Sequence, residues 1–342
     1  MNRNADSQWM LHALDLASRA WGMTNPNPMV GAVLVRGGKI IGEGYHHKAG
    51  EPHAEVNAFL DAQSRGEDTR DAVLYVTLEP CSSYGRTPPC TERILRSGVK
   101  KVVIGCLDPN PKHNGKAVAI LEEAGIEVIS GVEENACREL NKAFFCWITT
   151  GKPWVLLKMA STLDGKTAAS SGDAFWVTGE AARERVQILR RMADAIMVGA
   201  NTVRIDHPKL NVRNPENWSR QPWRIVASSS MTEDELFTYF PDRRAEVADP
   251  EKEGWENFLL RLGERRMMML LLEGGAELAA SAVSAGVVDS VEFHIAPKLL
   301  GGRNSHPVLG GTDPARMLDA LPLKNIQVNR YGDDISVTGD LK

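Results

Sequence analysis

The chain has 342 residues, 43% of them hydrophobic, and a formal net charge of −4. This length favours two domains, each large enough for its own core. The mild negative charge does not indicate a nucleic-acid partner. No apolar run approaches the roughly 18 residues of a membrane span, the N-terminus lacks a signal-peptide pattern, and five cysteines make no disulfide framework. We therefore expect a cytoplasmic protein that binds neither membranes nor nucleic acid.

The first part of the chain alternates helical and β-type patterns. It starts with a helix predicted over 7–21 and a hairpin of strands over 29–35 and 39–44. Further elements are predicted in this order: a helix after His53, a strand at 72–77, a helix from Cys90, a strand at 101–106, a helix at 115–124, a strand at 126–129 and a helix at 134–148. This order predicts a mixed sheet covered by helices. The Gly/Pro break at 151–153 predicts a boundary between domains 1–150 and 151–342.

The second part restarts the alternation, which predicts another α/β domain. Strands are predicted at 154–159, 195–198, 224–227, 267–272 and 288–295, and helices at 179–191 and 276–285. Between Ser230 and Arg266 the pattern fades into charged sequence with few β-type runs. We therefore expect that segment to lack strands.

One histidine, two cysteines and a glutamate in the first part match the pattern of a zinc-dependent deaminase. His53, Cys81 and Cys90 would be three zinc ligands that leave the fourth position open for water, and Glu55 would shuttle protons. The cysteines are wider apart than in the usual C-x-x-C arrangement. This spacing alone fits equally well two half-buried thiols and a histidine at the start of a helix.

The neighbourhood of these residues favours the zinc interpretation. Cys81 follows a predicted strand end, whereas His53 and Cys90 each follow a proline and open a predicted helix. Helix N-termini favour thiolates, the form in which cysteine binds metals. We therefore predict one zinc ion per chain.

Polar and glycine-rich segments outside this group are candidates for binding. Asn27 is flanked by prolines and could bind the edge of a heterocycle, although the same string is also typical of a rigid turn. His46 could bind a phosphate or a ring, and an ordinary surface histidine is an equally good interpretation. In the second part, Gly274 and Gly275 connect a strand to a helix and could cradle an anion, although a plain tight turn has the same pattern. Candidate phosphate contacts there are Lys158, Arg190 and Arg213.

Several strings in the chain are long enough to carry a family resemblance. Around the candidate ligands they are AGEPHAEV (Ala49–Val56) and TLEPCSSYGRTPPC (Thr77–Cys90), followed by DPNP (Asp108–Pro111). Further on they are LKMASTLDG (Leu157–Gly165), DHPKLNVR (Asp206–Arg213), EGG (Glu273–Gly275) and IAPKLLGG (Ile295–Gly302). Across most of its length the chain thus resembles the bifunctional riboflavin-biosynthesis deaminase–reductase family.

The resemblance implies a cytidine-deaminase-like first domain and a dihydrofolate-reductase-like second domain that uses NADPH. It implies that the first domain removes the ring amino group of a small-molecule pyrimidine ribosyl phosphate, 2,5-diamino-6-ribosylamino-4(3H)-pyrimidinone 5′-phosphate. The second domain would then reduce the ribosyl side chain to ribityl. A homo-oligomer is also expected.

The resemblance also implies roles for individual residues. In the deaminase, Glu55 is the catalytic residue, and the substrate is held by Asn27, His46, Arg86, Asp108 and Asn110. In the reductase, the substrate is held by Lys158, Arg190, Leu210, Arg213 and Glu273. NADPH is held by Trp176, Thr202, Asp206, Gly274 and Gly275.

The chain departs from the family pattern at three positions and in one segment. Ser83 stands where a histidine is common, Ala174 where a substrate-binding serine is usual, and Ser228 where an aspartate is common; the segment 231–266 is also short. These departures leave open an alternative, in which the chain is a deaminase only and the second domain serves a structural or oligomerisation role. A deaminase of a free nucleoside or a tRNA base is a further alternative. The negative net charge of the chain and the presence of a second domain argue against it.

Overall fold

The structure is a computed structural model that describes residues 3–84, 88–111, 113–174 and 177–342. The chain divides into two compact units, Met1–Gly151 and Lys152–Lys342. Within the described ranges, none of the helices combines the length and the apolar character that crossing a membrane requires.

The first unit contains a mixed sheet flanked by helices, as predicted. Its described elements are α1 (Arg3–Ser18), β1 (Gly31–Arg36), β2 (Lys39–Tyr45), α2 (Ala54–Ser64), β3 (Val73–Leu78), α3 (Cys90–Leu95), β4 (Lys101–Cys106), α4 (Lys116–Glu123), β5 (Glu127–Ser130), α5 (Glu134–Leu140) and α6 (Lys142–Thr150). The strand order is β2-β1-β3-β4-β5. The hairpin β1–β2 and the pair β1–β3 are antiparallel, whereas β3, β4 and β5 run parallel.

Helix α2 lies unusually close to strand β2, and this closeness places its N-terminus beside the candidate zinc ligands. The contact is made by two glycines of β2 and by small residues of α2. A Cβ on Gly42 would lie 2.4 Å from the carbonyl oxygen of Ala58, and a Cβ on Gly44 would lie 2.6 Å from the nitrogen of the same residue. Because larger residues would push the helix away, these glycines fix the depth at which α2 sits.

The prediction of one continuous helix over 134–148 is wrong, because the helix is interrupted at Asn141. The Asn141 side chain is buried. Its Oδ1 accepts a hydrogen bond from the Met29 nitrogen, and its Nδ2 donates to the Met29 oxygen, both at 2.8 Å. This pairing holds the segment before β1 in place. A partner so distant in sequence leaves no mark on a helical pattern.

The second unit contains a larger sheet. Its described elements are β6 (Trp154–Thr162), β7 (Lys166–Ala168), α7 (Glu180–Met192), β8 (Ala195–Gly199), α8 (Ala200–Asp206), β9 (Trp223–Ala227), α9 (Glu233–Tyr239), β10 (Ala245–Ala248), α10 (Pro250–Glu253), α11 (Trp255–Glu264), β11 (Met269–Glu273), α12 (Ala276–Ser284), β12 (Ser290–Ala296), β13 (His306–Pro307), β14 (Lys324–Tyr331) and β15 (Asp334–Asp340). The strand order is β10-β9-β8-β11-β6-β12-β15-β14, and β13 pairs separately with β7.

The order of this sheet sets the position of its loops. From β10 to β12 neighbouring strands are parallel, and the last two pairs, β12–β15 and β15–β14, are antiparallel. The carboxyl ends of the parallel strands β6, β8, β9 and β11 therefore meet at one edge, where α/β proteins bind ligands.

The expectation that the segment between Ser230 and Arg266 lacks strands is wrong. Strand β10 lies within it and pairs in parallel with β9 at the sheet edge. Helix α11 follows, and its apolar side chains Trp255, Phe258 and Leu262 join the core of the unit. Strand β10 was not predicted because it has only four residues and includes the charged Glu246, so the sequence shows no apolar run of strand length there.

Candidate active site

The three predicted zinc ligands converge in the first unit. The Nδ1 atom of His53 lies 3.6 Å from the sulfur of Cys81 and 3.3 Å from the sulfur of Cys90. The three ligand atoms all lie within 4.8 Å of one another. In a tetrahedral zinc site with Zn–N bonds of about 2.0 Å and Zn–S bonds of about 2.3 Å, a nitrogen and a sulfur ligand lie roughly 3.5 Å apart. The donor set and its spacing therefore fit zinc.

The pKa values of the two thiols are shifted in opposite directions, and a thiol with a low pKa favours metal binding. Hydrogen bonding with the Cys90 thiol is the main cause that lowers the pKa of Cys81 to about 4, and the backbone N–H of Cys90 also donates to the Cys81 sulfur at 3.2 Å. The pKa of Cys90 is raised, because its thiol donates to the Cys81 sulfur and because its surroundings are buried. Cys81 is thus the more easily deprotonated of the two thiols, and a divalent cation would favour the thiolate form of both.

Glu55 lies on the first turn of α2 and is buried, with 3% of its surface exposed. Burial is the main cause that raises the pKa of its carboxyl group, and the nearby Cys81 thiolate raises it further. A carboxyl group whose pKa is raised towards neutrality can both accept and release protons, which is the property of a proton shuttle. The geometry thus places a suitable group two residues from the predicted ligand His53.

Asn27 and His46 lie together beside His53. The rings of His46 and His53 meet edge to face, with centroids 5.3 Å apart. His46 Nδ1 lies 3.1 Å from the Pro52 carbonyl, to which it must donate, so Nε2 accepts from the Asn27 amide at 3.1 Å. Burial lowers the pKa of His46 and keeps this ring neutral. The contact fixes the plane of the Asn27 amide next to the predicted ligand His53.

Asp108 and Asn110 lie in the loop that follows β4. The Asp108 Oδ1 atom accepts a hydrogen bond from the backbone nitrogen of Asn110 at 2.8 Å. Burial raises the pKa of Asp108, and the charge of Cys81 adds to this effect. Arg86, the predicted phosphate contact, lies outside the described residues.

The second unit has a cleft of about 1270 Å³ at the carboxyl ends of its parallel strands. It brings together most of the residues predicted for the reductase. Those that line it are Lys158, Arg190, Thr202, Asp206, Leu210, Glu273, Gly274 and Gly275. Arg213 is exposed and does not belong to the lining that the described residues define, although its charge helps to lower the pKa of Glu273. Trp176 lies outside the described residues.

A buried ion pair stands at one end of this cleft. Arg190 on α7 donates from Nε and Nη2 to the two carboxylate oxygens of Glu273, both at 2.7 Å. Lys158 lies opposite Glu273 on the neighbouring strand β6. Burial lowers the pKa of this lysine, and the charge of Glu273 opposes that effect. The three side chains form a charged group whose polar atoms can recognise a sugar or a phosphate.

The loop after β11 approaches the start of α8 across the cleft. Gly274 and Gly275 have φ angles of 81° and 87°, which non-glycine residues rarely adopt. A Cβ on Gly275 would lie 3.7 Å from the Thr202 hydroxyl and 3.8 Å from the Gly199 nitrogen. The two strand-to-helix turns thus lie side by side, and helix N-termini of this kind can bind phosphate groups.

Comparisons with known proteins agree with this geometry. The family model for the cytidine and deoxycytidylate deaminase zinc-binding region matches residues 3–106, and the model for the RibD C-terminal domain matches residues 153–337. The riboflavin biosynthesis protein RibD of Aquifex aeolicus is 41% identical over 98% of this chain and 99% of its own length. The chain belongs to the RibD family.

Other members of the RibD family and their structures extend the match over both units. RibD of Actinobacillus pleuropneumoniae is 40% identical over 96% of this chain and 94% of its own. The structure of Acinetobacter baumannii RibD has a TM-score of 0.88 at 37% identity, and each chain is covered to 99%. A Thermotoga maritima protein described as a diaminohydroxyphosphoribosylaminopyrimidine deaminase/5-amino-6-(5-phosphoribosylamino)uracil reductase has a TM-score of 0.88 at 34% identity, with 99% of both chains covered. The predicted family and fold class are confirmed.

The three departures from the RibD pattern have different structural settings. Ser83 is exposed, and Ala174 is exposed and lines the cleft of the second unit. The Ser228 hydroxyl accepts hydrogen bonds from the backbone nitrogens of Ser230 and Met231, at 3.1 and 2.9 Å. An aspartate could accept the same two bonds. The serine therefore preserves the turn after β9 and removes one negative charge from the cleft.

Two residues whose side chains tie distant segments together were missed from the sequence. Asn57 on α2 donates to the carbonyls of Tyr45 and Pro52, at 2.7 and 3.3 Å, and so ties the end of β2 to the segment before His53. Its position four residues after His53, on the same helix face, was a usable signal. Asp164, in the segment Leu157–Gly165, accepts hydrogen bonds from the backbone nitrogens of Leu300 and Gly301, at 3.1 and 2.7 Å.

Proposed function

We propose that the chain catalyses two consecutive reactions of riboflavin biosynthesis. The first is the zinc-dependent deamination of 2,5-diamino-6-ribosylamino-4(3H)-pyrimidinone 5′-phosphate, and the second is the NADPH-dependent reduction of the ribosyl side chain to ribityl. The convergence of His53, Cys81 and Cys90 beside the buried Glu55 is the observation that carries this proposal. The activities in the name of the Thermotoga maritima relative support both reactions.

In the deaminase, His53, Cys81 and Cys90 would hold zinc, which when bound would supply a water acidic enough to lose a proton near neutral pH. Glu55 accepts the proton of the attacking water and delivers it to the ring nitrogen. It next takes the proton of the hydroxyl group added to the ring carbon and passes it to the amino group, which leaves as ammonia as the carbonyl forms and the C–N bond breaks. The same carboxyl group thus works in turn as a base and as an acid. Burial around Glu55 suits both states, because it raises the pKa of the carboxyl group.

The residues around this group would hold the substrate. Asn27, which is hydrogen-bonded to His46, would contact the heterocycle, and Asp108 and Asn110 would contribute from the loop after β4. Arg86 is proposed for the ribose phosphate, because a guanidinium binds phosphate through paired hydrogen bonds. These neutral and charged contacts would fix the ring so that its amino-bearing carbon meets the water.

In the reductase, NADPH would supply a hydride to the sugar C1 of an opened, imine-like form of the substrate. Glu273, which Arg190 holds rigidly, would accept hydrogen bonds from the sugar, and Lys158 would donate to it. Leu210 and Arg213 complete the proposed substrate contacts. Thr202, Asp206, Gly274, Gly275 and Trp176 are proposed for the cofactor.

The alternative of a deaminase with a degenerate second domain is not favoured. The family match to the RibD C-terminal domain runs through that unit, and Arg190, Glu273 and Lys158 are assembled in its cleft. Titration of the purified protein with NADPH separates the two possibilities. Saturable binding supports the reductase, whereas the absence of binding together with intact deamination would establish the alternative.

Removing zinc should abolish one activity and spare the other. After chelation we expect deamination to fall by at least about 100-fold, because no activated water remains, and added zinc should restore it. Reduction of the deaminated intermediate should change by less than about twofold, because the reductase site needs no metal. Cys81→Ser should lose zinc, whereas Cys146→Ser, at a half-exposed cysteine of α6, should keep it. Deamination that persists without metal would contradict the proposal.

The expected homo-oligomer and cytoplasmic location stay predictions. Among the described residues of the second unit, Met317, Leu318 and Val328 are 89%, 85% and 65% exposed, and Val328 belongs to the outermost strand β14. Light scattering on the purified protein would give its mass and so test the oligomer.

A further inference from the structure

Glu79 is a buried carboxylate that the proposed chemistry does not use. It follows the last residue of β3, and 5% of its surface is exposed. Its two oxygens accept hydrogen bonds from three backbone nitrogens, two in the loop after β4 and one in the first turn of α4. Oε2 accepts from Asp108 at 3.1 Å and from Gly115 at 3.0 Å, and Oε1 accepts from Ala117 at 2.9 Å.

The loop needs an acceptor at this place, because helix α4 begins without a capping side chain. Its N-cap residue is Gly115, with φ of 73°, and no acidic residue lies in its first turn. The free N–H groups at a helix start require acceptors, which a serine, threonine, asparagine or aspartate at the N-cap usually supplies. Glu79 supplies that acceptor from β3, and its negative charge is favourable at the positive end of the helix dipole.

The same loop carries two of the proposed substrate contacts. The backbone nitrogen of Asp108 is itself bound to Glu79, and the Asp108 carboxylate binds the nitrogen of Asn110. Asn114 adds a hydrogen bond from its side-chain amide to the Asp108 carbonyl at 3.0 Å. A displacement of the Glu79 carboxylate would therefore move Asp108 and Asn110 together.

Glu79 is also connected to the zinc ligands. It lies two residues before Cys81, and its backbone nitrogen donates to the Cys106 carbonyl at 2.9 Å. The segment that presents a ligand and the segment that presents the substrate contacts are thus joined through one side chain. A glutamine in its place would offer one acceptor oxygen and a donor NH₂ group, so at least one of the three backbone donors would lose its partner.

We propose that Glu79 is a positioning residue for the deamination, which sets the distance between the substrate loop and the zinc ligands. This inference rests on the proposed deaminase function. It assigns Glu79 no contact with the substrate and no proton transfer, so its removal acts on substrate binding through Asp108 and Asn110.

Steady-state kinetics of Glu79→Gln test the proposal. We expect KM for the pyrimidine phosphate to rise by about 10-fold, the effect of losing one hydrogen bond to a charged group, and kcat to stay within about threefold, because Glu55 and the zinc ligands are unchanged. Zinc content and the reductase activity of the same chain should equal those of the wild type. Asp61→Asn is the matched control, since Asp61 also accepts a backbone nitrogen, that of Glu43 at 2.9 Å, but holds no substrate loop.

A double-mutant cycle shows whether Glu79 acts through Asp108. The effect of Asp108→Asn on KM should be several-fold smaller in the Glu79→Gln background than in the wild type. Amide hydrogen exchange offers a readout that needs no substrate: residues 108–117 should exchange faster in Glu79→Gln, whereas α2 should not change. Glu79→Gln with unchanged KM, a fall in kcat alone, loss of zinc, or strictly additive effects would each overturn the positioning role.

Failure of the proposed function is distinguishable from failure of this inference. If the wild-type protein did not deaminate the pyrimidine phosphate, the proposed function would fall. The exchange of residues 108–117 would then still show whether Glu79 holds the loop. If the wild type is active and the exchange is unchanged in Glu79→Gln, the inference alone is wrong.

Discussion

Glu55→Gln is expected to lower kcat for deamination by about 10³-fold while zinc stays bound, because general acid–base catalysis contributes about 10² to 10⁴. Glutamine keeps the size and part of the hydrogen bonding of Glu55 but neither takes up nor releases a proton near neutral pH. KM should change little, since the carboxyl group acts on protons and not on substrate affinity. Steady-state kinetics and metal analysis of the purified variant measure both quantities.

Glu92→Gln is the matched control for this experiment. Glu92 lies two residues after Cys90, as Glu55 lies two residues after His53, but its carboxylate binds Tyr84 and Arg96 instead of facing the ligands. Its replacement should change kcat by less than about threefold, as expected of a group outside the reaction. If Glu55→Gln kept kcat within tenfold of the wild type, or if both variants lost activity equally, Glu55 would not be the proton shuttle.

Arg190→Met is expected to destabilise the second unit and to abolish reduction. The side chains of Arg190 and Glu273 are 11% and 9% exposed, and removing one partner of a buried ion pair costs about 3–5 kcal/mol because the other charge is left alone. The free energy of unfolding of the second unit should fall by that amount, and NADPH oxidation with the deaminated substrate should be lost. Urea unfolding and single-turnover reduction measure the two effects.

The controls for this experiment are a second arginine and a second substitution. Arg261 also makes a two-bond contact, with Glu253, but their side chains are 39% and 31% exposed, so Arg261→Met should cost less than about 1 kcal/mol. Adding Glu273→Gln to Arg190→Met should recover part of the lost stability, because the uncompensated charge disappears. Equal losses for Arg190→Met and Arg261→Met would show that burial does not govern this pair.

The ion pair also predicts a pH dependence of stability. Burial alone would raise the pKa of Glu273, but the charge and hydrogen bonds of Arg190 outweigh it and hold the pKa below the ordinary value. The stabilisation is therefore complete above the unfolded-state pKa of about 4.3 and is lost as the pH falls through the lower folded value. Stability measurements at pH 7 thus report the pair at full strength.

The candidate active site of the first unit was largely predictable from the sequence, because its residues occur in short motifs of recognisable spacing. His53 is the N-cap residue of α2, and Glu55 lies in its first turn. Cys81 follows the end of β3, and Cys90 begins α3. Pattern and spacing therefore point to the same group. The wide gap between the cysteines was the weak point of the zinc interpretation. The structure brings both sulfurs within 3.6 Å of one imidazole nitrogen. Tertiary packing, and not the local sequence, brings these distant residues together.

What the sequence did not predict depends on contacts between distant segments. The break at Asn141 follows from its pairing with Met29. The role of Glu79 follows from three backbone nitrogens that lie 29, 36 and 38 residues further along the chain. Strand β10 forms because β9 offers an edge, although its own four residues carry a weak pattern. The strands β14 and β15 were likewise not predicted, although Ile326 and Val328 alternate with polar residues in β14, as is typical of a strand.

The most direct test of the two-reaction account is a product analysis with one purified chain. The zinc-loaded protein is incubated with the diaminopyrimidine ribosyl phosphate, with and without NADPH, and the products are identified by mass spectrometry. Without NADPH, the account predicts a deaminated product that keeps its ribosyl group; with NADPH, it predicts a deaminated ribityl product. A reduced product that still carries the ring amino group, or a deaminated product that NADPH leaves unchanged, would contradict it.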